Sequence, residues 1–184
     1  MLSDGPFLSA TVLNGLEAYL TRKGVVYRDV LRLAGLPDGK LDPAQVEVPL
    51  STVVAIFDAS ARATQSACFG AEWSEVFDPG EMGAFGYLLR NAATVREALN
   101  VTVRYISLII HPVAVEMEDE GSTTVLKWRF PPRVQSSSMQ YLLFATAATV
   151  ARFRTAAGGH WSARMPRPTR AAGRSAGTSQ RHSL

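Results

Sequence analysis

Residues able to do chemistry are few in this 184-residue chain, and they are scattered. None of the three histidines, His111, His160 and His182, lies at metal-ligand spacing from another histidine, a cysteine or a paired acid. His111 precedes Pro112 and reads as a polar turn residue. The sharper alternative is an axial haem ligand, but no haem motif accompanies it. Cys68 is the single cysteine. A nucleophile needs a base and an orienting group close by. Nothing around Cys68 signals either, so it reads as a small buried apolar residue. The chain has no G-x-S-x-G elbow and no Walker loop. The expectation is no catalytic residue, no metal site, no cofactor and no enzyme activity.

Two further sets are binding candidates. Glu116, Glu118, Asp119 and Glu120 form an acidic run that reads as a solvated strand end and loop rather than a cation site. Trp73, Phe85, Tyr87, Tyr105 and Trp128 combine apolar rings with some polar tips, the mixture that lines small-molecule pockets. The same residues are equally what a plain core contains, and both readings stay open.

The elements that must carry these residues follow from periodicity. Ser9 to Arg22 reads as a first helix with Val12, Leu13, Leu16, Tyr19 and Leu20 inward, stopped by Gly24. Val26 to Ala34 is a second helix, followed by a Leu36-Pro37-Asp38-Gly39 turn. One helical turn is expected from Asp42-Pro43, and an extended stretch from Val46 to Pro49. Ser51 is the expected N-cap of a third helix running to about Gln65, with Val53, Val54, Phe57, Ala61 and Thr64 on its buried side. Asp78-Pro79-Gly80 is a turn.

Gly83 to Tyr105 is the most informative stretch. Gly83 and Gly86 bracket aromatic residues and predict either a sharp turn or a close backbone approach. Thr94-Val95-Arg96-Glu97 reads as a capping box, in which the Thr94 hydroxyl takes the Glu97 N–H and the Glu97 carboxylate takes the Thr94 N–H. The helix it opens turns Val95, Ala98, Leu99, Thr102, Tyr105 and Ile106 to one side.

The period then changes to two. Val113, Val115 and Met117 predict one strand, and Thr124, Leu126, Trp128 and Phe130 another. Asp119-Glu120-Gly121 is the loop between them. Ser138 can cap a last helix to about Ala157, with Tyr141, Leu142, Ala145, Ala148, Thr149 and Phe153 inward. Gly158-Gly159 ends it and Trp161 is the last packed residue. The fold class is α+β: a helical N-terminal half, then an antiparallel β-hairpin or sheet packed with helices.

G-A-F-G-Y-L-L-R-N-A-A-T-V-R-E-A-L, followed by R-Y, resembles the signature of the N-terminal effector-binding ("arabinose-binding") domain of AraC-type transcription regulators. The resemblance spans about Leu8 to Trp161. One departure is local: Gln65-Ser66-Ala67-Cys68 stands where the family pattern has a Gly-Asp-Pro turn. The resemblance implies a small-molecule effector that acts by favouring one conformation. It also implies pairing, either as a homodimer or as a heterodimer with a full-length regulator. Family chains continue into two helix-turn-helix units, and none is legible here. This chain alone is therefore expected not to bind DNA specifically. The alternatives are a stand-alone interaction protein that pairs with a full-length regulator and, further off, a small haem sensor or enzyme.

Composition agrees with a globular body. The hydrophobic fraction is 47% and the charged fraction 19%. No apolar run reaches the roughly 18 residues of a membrane span, and the start lacks a signal-peptide pattern. With one cysteine, this points to the cytoplasm. The net charge of +3 misleads, because Arg164, Arg167, Arg170, Arg174 and Arg181 all follow Trp161, where there is no acid. Without these five, 14 basic residues face 16 acidic ones, which argues against a basic face for nucleic acid. The expected division is an effector-binding and dimerisation domain over 1–162 and a disordered basic tail over 163–184, with a frameshift or premature stop as one origin for the tail.

Overall fold

A computed structural model describes residues 6–41, 46–130 and 139–157. Two of the expected features fall outside them: the Asp42-Pro43 turn, and the chain from Gly158 through Trp161 to the tail. The Ser138 cap and the Phe153 side chain also lie outside the described residues.

The element order confirms α+β, with seven α-helices and two small antiparallel sheets among the described residues. Strand β1 (Phe7–Ser9) leads into a 3-10 turn (Ala10–Leu13), α1 (Leu16–Arg22) and α2 (Tyr27–Leu33). Strand β2 (Glu47–Pro49) runs directly into α3 (Leu50–Thr64), and α4 (Phe69–Val76) follows. A second 3-10 turn (Pro79–Met82) precedes α5 (Gly83–Asn91) and α6 (Val95–Tyr105). Next come a third 3-10 turn (Ile106–Leu108), β3 (Ile110–His111), the hairpin β4 (Ala114–Glu120) and β5 (Thr123–Arg129), and α7 (Met139–Ala157).

The first helix is not continuous. Phe7 to Ser9 form a central strand that pairs antiparallel with β2 on one side and β3 on the other. The N-terminal half thus contributes two strands to a sheet that was not expected. Ser9 ends this strand, its hydroxyl accepting from Thr11 N–H at 3.4 Å. Asn14-Gly15 then breaks the chain, because Gly15 sits at φ +79°, where glycine is favoured. The expected inward residues Val12, Leu13, Leu16, Tyr19 and Leu20 are nevertheless all buried. A 3-10 turn followed by an α-helix keeps nearly the same apolar side inward.

Pro49, not Ser51, occupies the cap position of α3. Because β2 feeds straight into the helix, the Leu50 N–H, at the helix start, finds its partner in the Pro6 carbonyl at 2.8 Å. Val53 and Phe57 are buried as expected, and Leu50, Ile56, Ala59 and Ser60 join them. Val54, Ala61 and Thr64 are only half-buried. Gln65 ends the helix in the left-handed conformation at φ +54°. The turn after it leaves Cys68 exposed, not buried, with its N–H on the Ser66 hydroxyl at 3.2 Å.

The core centres on α3, α4 and α7. The Phe57 ring meets Phe69, Tyr141 and Phe144 edge-on, at 5.9, 6.1 and 5.2 Å. Helices α4 and α7 touch backbone to backbone. A Cβ added at Gly70 would lie 1.8 Å from the Gln140 carbonyl oxygen. The Gln140 side chain fastens this crossing, accepting from Gly70 N–H and donating to the Ala67 carbonyl, both at 3.0 Å.

Both readings of the central glycines are realised. Gly83 turns the chain at φ +57°, and Gly86 packs against the Pro79 carbonyl. The cap of α6 is half as expected. Thr94 accepts from Glu97 N–H at 3.1 Å, but the Glu97 carboxylate takes the N–H of Ala93, not of Thr94. Ala98, Leu99, Thr102 and Ile106 are buried and Tyr105 is half-buried. Val95, in the first turn, is 41% exposed, against expectation.

The hairpin pairs Val115 with Trp128 and Met117 with Leu126. Asp119 and Glu120 extend β4, so the turn is Gly121-Ser122 and not Asp119-Glu120-Gly121. Only Val115 is fully buried in it. Salt bridges Glu116–Arg129 and Glu118–Lys127 cross its outer side, and Asp119 is held by Arg96 at 3.0 Å and by the Thr124 hydroxyl at 2.8 Å. Glu116, Glu118 and Asp119 of the acidic run are therefore engaged with cationic and hydroxyl side chains of the fold. No helix among the described residues is long and apolar enough to cross a membrane.

Candidate functional site

Two concavities bear on binding. The first is enclosed in the core and measures about 20 Å³. Its walls include Val12, Phe85, Leu89, Tyr141, Phe144 and Thr149. Such a space holds about one water, and most of its lining is apolar. Burial pushes the Tyr141 phenol far above its ordinary range. At its edge the Thr149 hydroxyl meets Thr102 at 3.2 Å and the Ala145 carbonyl at 2.9 Å.

The second is an open groove of about 490 Å³ between the start of the chain's first helical segment and α2 with β2. This lies within the roughly 300–1,000 Å³ of small-molecule sites. Leu13, Leu41 and Val48 supply apolar walls, and Thr11, Asn14, Glu17 and Tyr27 supply polar atoms. The Asn14-Gly15 break shapes its floor, with Trp73 behind it: a Cβ at Gly15 would lie 3.6 Å from Trp73 Cη2. Asn14 is fixed by donating to the Glu81 carboxylate at 2.9 Å. Burial, and secondly the Glu17 charge, push the Tyr27 phenol up to about 12.

The five aromatic candidates do not converge on either space. Phe85 lines the enclosed cavity. Trp73 is 2% exposed and backs the groove through Gly15. Tyr87 points outward and is 67% exposed. Tyr105 is half-buried beneath the Arg104 guanidinium, 5.4 Å from its ring. Trp128 stacks on Phe130 with ring centroids 6.3 Å apart. The indole N–H groups of Trp73 and Trp128 are buried without a partner among the described residues. The groove residues Asn14, Glu17 and Tyr27 escaped the sequence reading. The signal was present in Asn14-Gly15, a turn dipeptide inside an apparent helix.

Beside the groove, Glu72 ties α1 to α4. It accepts from Ser66 at 2.7 Å, Tyr19 at 3.3 Å and Lys23 at 3.4 Å. The Ser66 hydrogen bond, aided by Lys23, holds its carboxyl below the usual range. His111 is exposed at the end of β3, and no group of three or more potential metal ligands occurs among the described residues.

The sequence family described as the N-terminal arabinose-binding domain of AraC transcription regulators matches residues 24–176. The match therefore reaches into the segment read from the sequence as a tail. No curated protein matches the chain.

Proposed function

We propose, because this chain belongs to the family of N-terminal arabinose-binding domains of AraC transcription regulators, that it is a ligand-sensing and dimerising module. Its role is to bind a small effector and to pass the change in conformation or pairing to a DNA-binding partner. On this reading it is a binding protein rather than an enzyme, works in the cytoplasm and does not itself read a DNA sequence. The observation that carries the sensing role is the groove of about 490 Å³, sized for a small molecule and fitted with both apolar walls and polar atoms. The dimerising role rests on the family alone.

A thermal-shift screen against a mixed library of sugars, amines, organic acids and alcohols tests the sensing role. A true effector at a hundred times its Kd stabilises the fold by about 2.7 kcal/mol. For a domain of this size that raises Tm by several degrees. Sedimentation with and without the hit tests the pairing. A library without any hit, together with a chain that stays monomeric, would remove this reading.

A further inference from the structure

We infer that the groove between the Ala10–Glu17 segment and Tyr27, Leu41, Val46 and Val48 is the effector site, and that it selects a small organic cation with an apolar body. The inference deepens the sensing role proposed above and depends on it.

Three observations lead there. The enclosed cavity, at about 20 Å³, has no room for an organic molecule, whereas the groove has about 490 Å³. Among the described residues lining the groove, Glu17 is the charged one. Two of its polar groups are engaged within the fold: the Asn14 amide donates to Glu81, and the Thr11 hydroxyl shares a hydrogen bond with Ser9 at 2.9 Å.

Neither the Glu17 carboxylate nor the Tyr27 oxygen has a hydrogen-bond partner among the described residues, yet the Glu17 charge is felt at the Tyr27 phenol. An ammonium or guanidinium group placed between them would gain a charge-assisted hydrogen bond from Glu17 and contact with the electron-rich Tyr27 ring. Its hydrocarbon part would lie on Leu13, Leu41 and Val48. An anionic ligand would face Glu17 with no counter-charge among the described lining residues and would be repelled.

The test uses three six-carbon probes that differ in charge: hexylamine, hexanol and hexanoate. Each is titrated into the full-length ¹⁵N-labelled chain and into Glu17→Gln, a substitution at an exposed position. Hexylamine is expected to shift the amide signals of Asn14, Glu17 and Tyr27 saturably, with hexanol weaker and hexanoate inert. Glu17→Gln is expected to weaken hexylamine about tenfold, the scale of one charged hydrogen bond, and to leave hexanol unchanged. Equal affinity for all three probes, or no effect of Glu17→Gln, overturns the cation assignment. Saturable shifts around Phe85 and Tyr141 instead overturn the groove while leaving the sensing role intact. No saturable shift with any probe overturns the inference, and the library screen then decides separately whether the chain senses anything.

Discussion

A Cβ added at Gly86 would lie 1.8 Å from the carbonyl oxygen of Pro79, and 3.2 Å from the Gly80 Cα. Both are backbone atoms, so no side chain can rotate away to make room. Gly86→Ala must separate α5 from the Pro79–Met82 turn, and is expected to cost about 1–3 kcal/mol. Gly83→Ala meets no atom within 4 Å, but its φ of +57° is unfavourable for alanine. Urea denaturation of both variants checks this, with Gly86→Ala expected to be the more damaging.

Thr94→Ala is expected to destabilise the fold by about 1 kcal/mol, because it removes the acceptor for Glu97 N–H. Glu97→Ala should also cost, since it frees the Ala93 N–H. Matching denaturation midpoints for wild type and both variants would show that this cap does not hold the helix start in solution.

Glu72 gives the fold an acid-side dependence. Its carboxyl is depressed by Ser66 first and by Lys23, so it favours the folded state above the unfolded carboxyl value of about 4.3. That contribution is lost as pH falls through the lower folded value. The side chain is 39% exposed, and solvent screening keeps the effect on the order of 0.5 kcal/mol. Glu72→Gln retains an acceptor for Ser66 and removes the charge. Its stability deficit should be present at pH 6 and shrink as pH falls below about 4.3. A deficit constant over that range would assign the loss to packing.

Tyr27 gives an alkaline counterpart. Its phenol is raised to about 12 by burial and by Glu17. A raised acid contributes stability that is complete below the unfolded value of about 10. It is lost as pH climbs from there through about 12. Ultraviolet difference titration of wild type and Glu17→Gln should show one tyrosine ionising earlier in the variant. An unchanged curve would mean that Glu17 does not face the phenol.

The sequence showed the period of an element more clearly than its partners. The capped helix, the hairpin's two strands and the buried Tyr141, Ala148 and Thr149 of α7 were legible because each depends on neighbours within one segment, whereas Leu142 and Ala145 are only half-buried and the buried Phe144 and Ala147 were not singled out. β1 was not legible, because three residues are too few to show alternation and their partners, Glu47–Pro49 and Ile110–His111, are about 40 and 100 positions away. The groove was hidden for the same reason. Glu17 and Tyr27 are ordinary surface residues of two short helices until the Asn14-Gly15 break sets one beside the other. Cys68 was misread because its type favours burial, and the left-handed Gln65 that turns it outward leaves no composition signal.

The junction of Gly70 with Gln140 also fixes a moment in the life of the chain. The helix that completes the aromatic cluster is made some 70 residues after the one it grips. Until Tyr141 and Phe144 arrive, Phe57 and Phe77 lack ring partners that they hold in the finished core. A nascent chain stopped short of α7 would therefore carry sticky rings on view, and chaperones would be its natural company. Loop closure over such a distance also delays the decisive contact. Among the described residues, the aromatic core therefore closes only when α7 is in place.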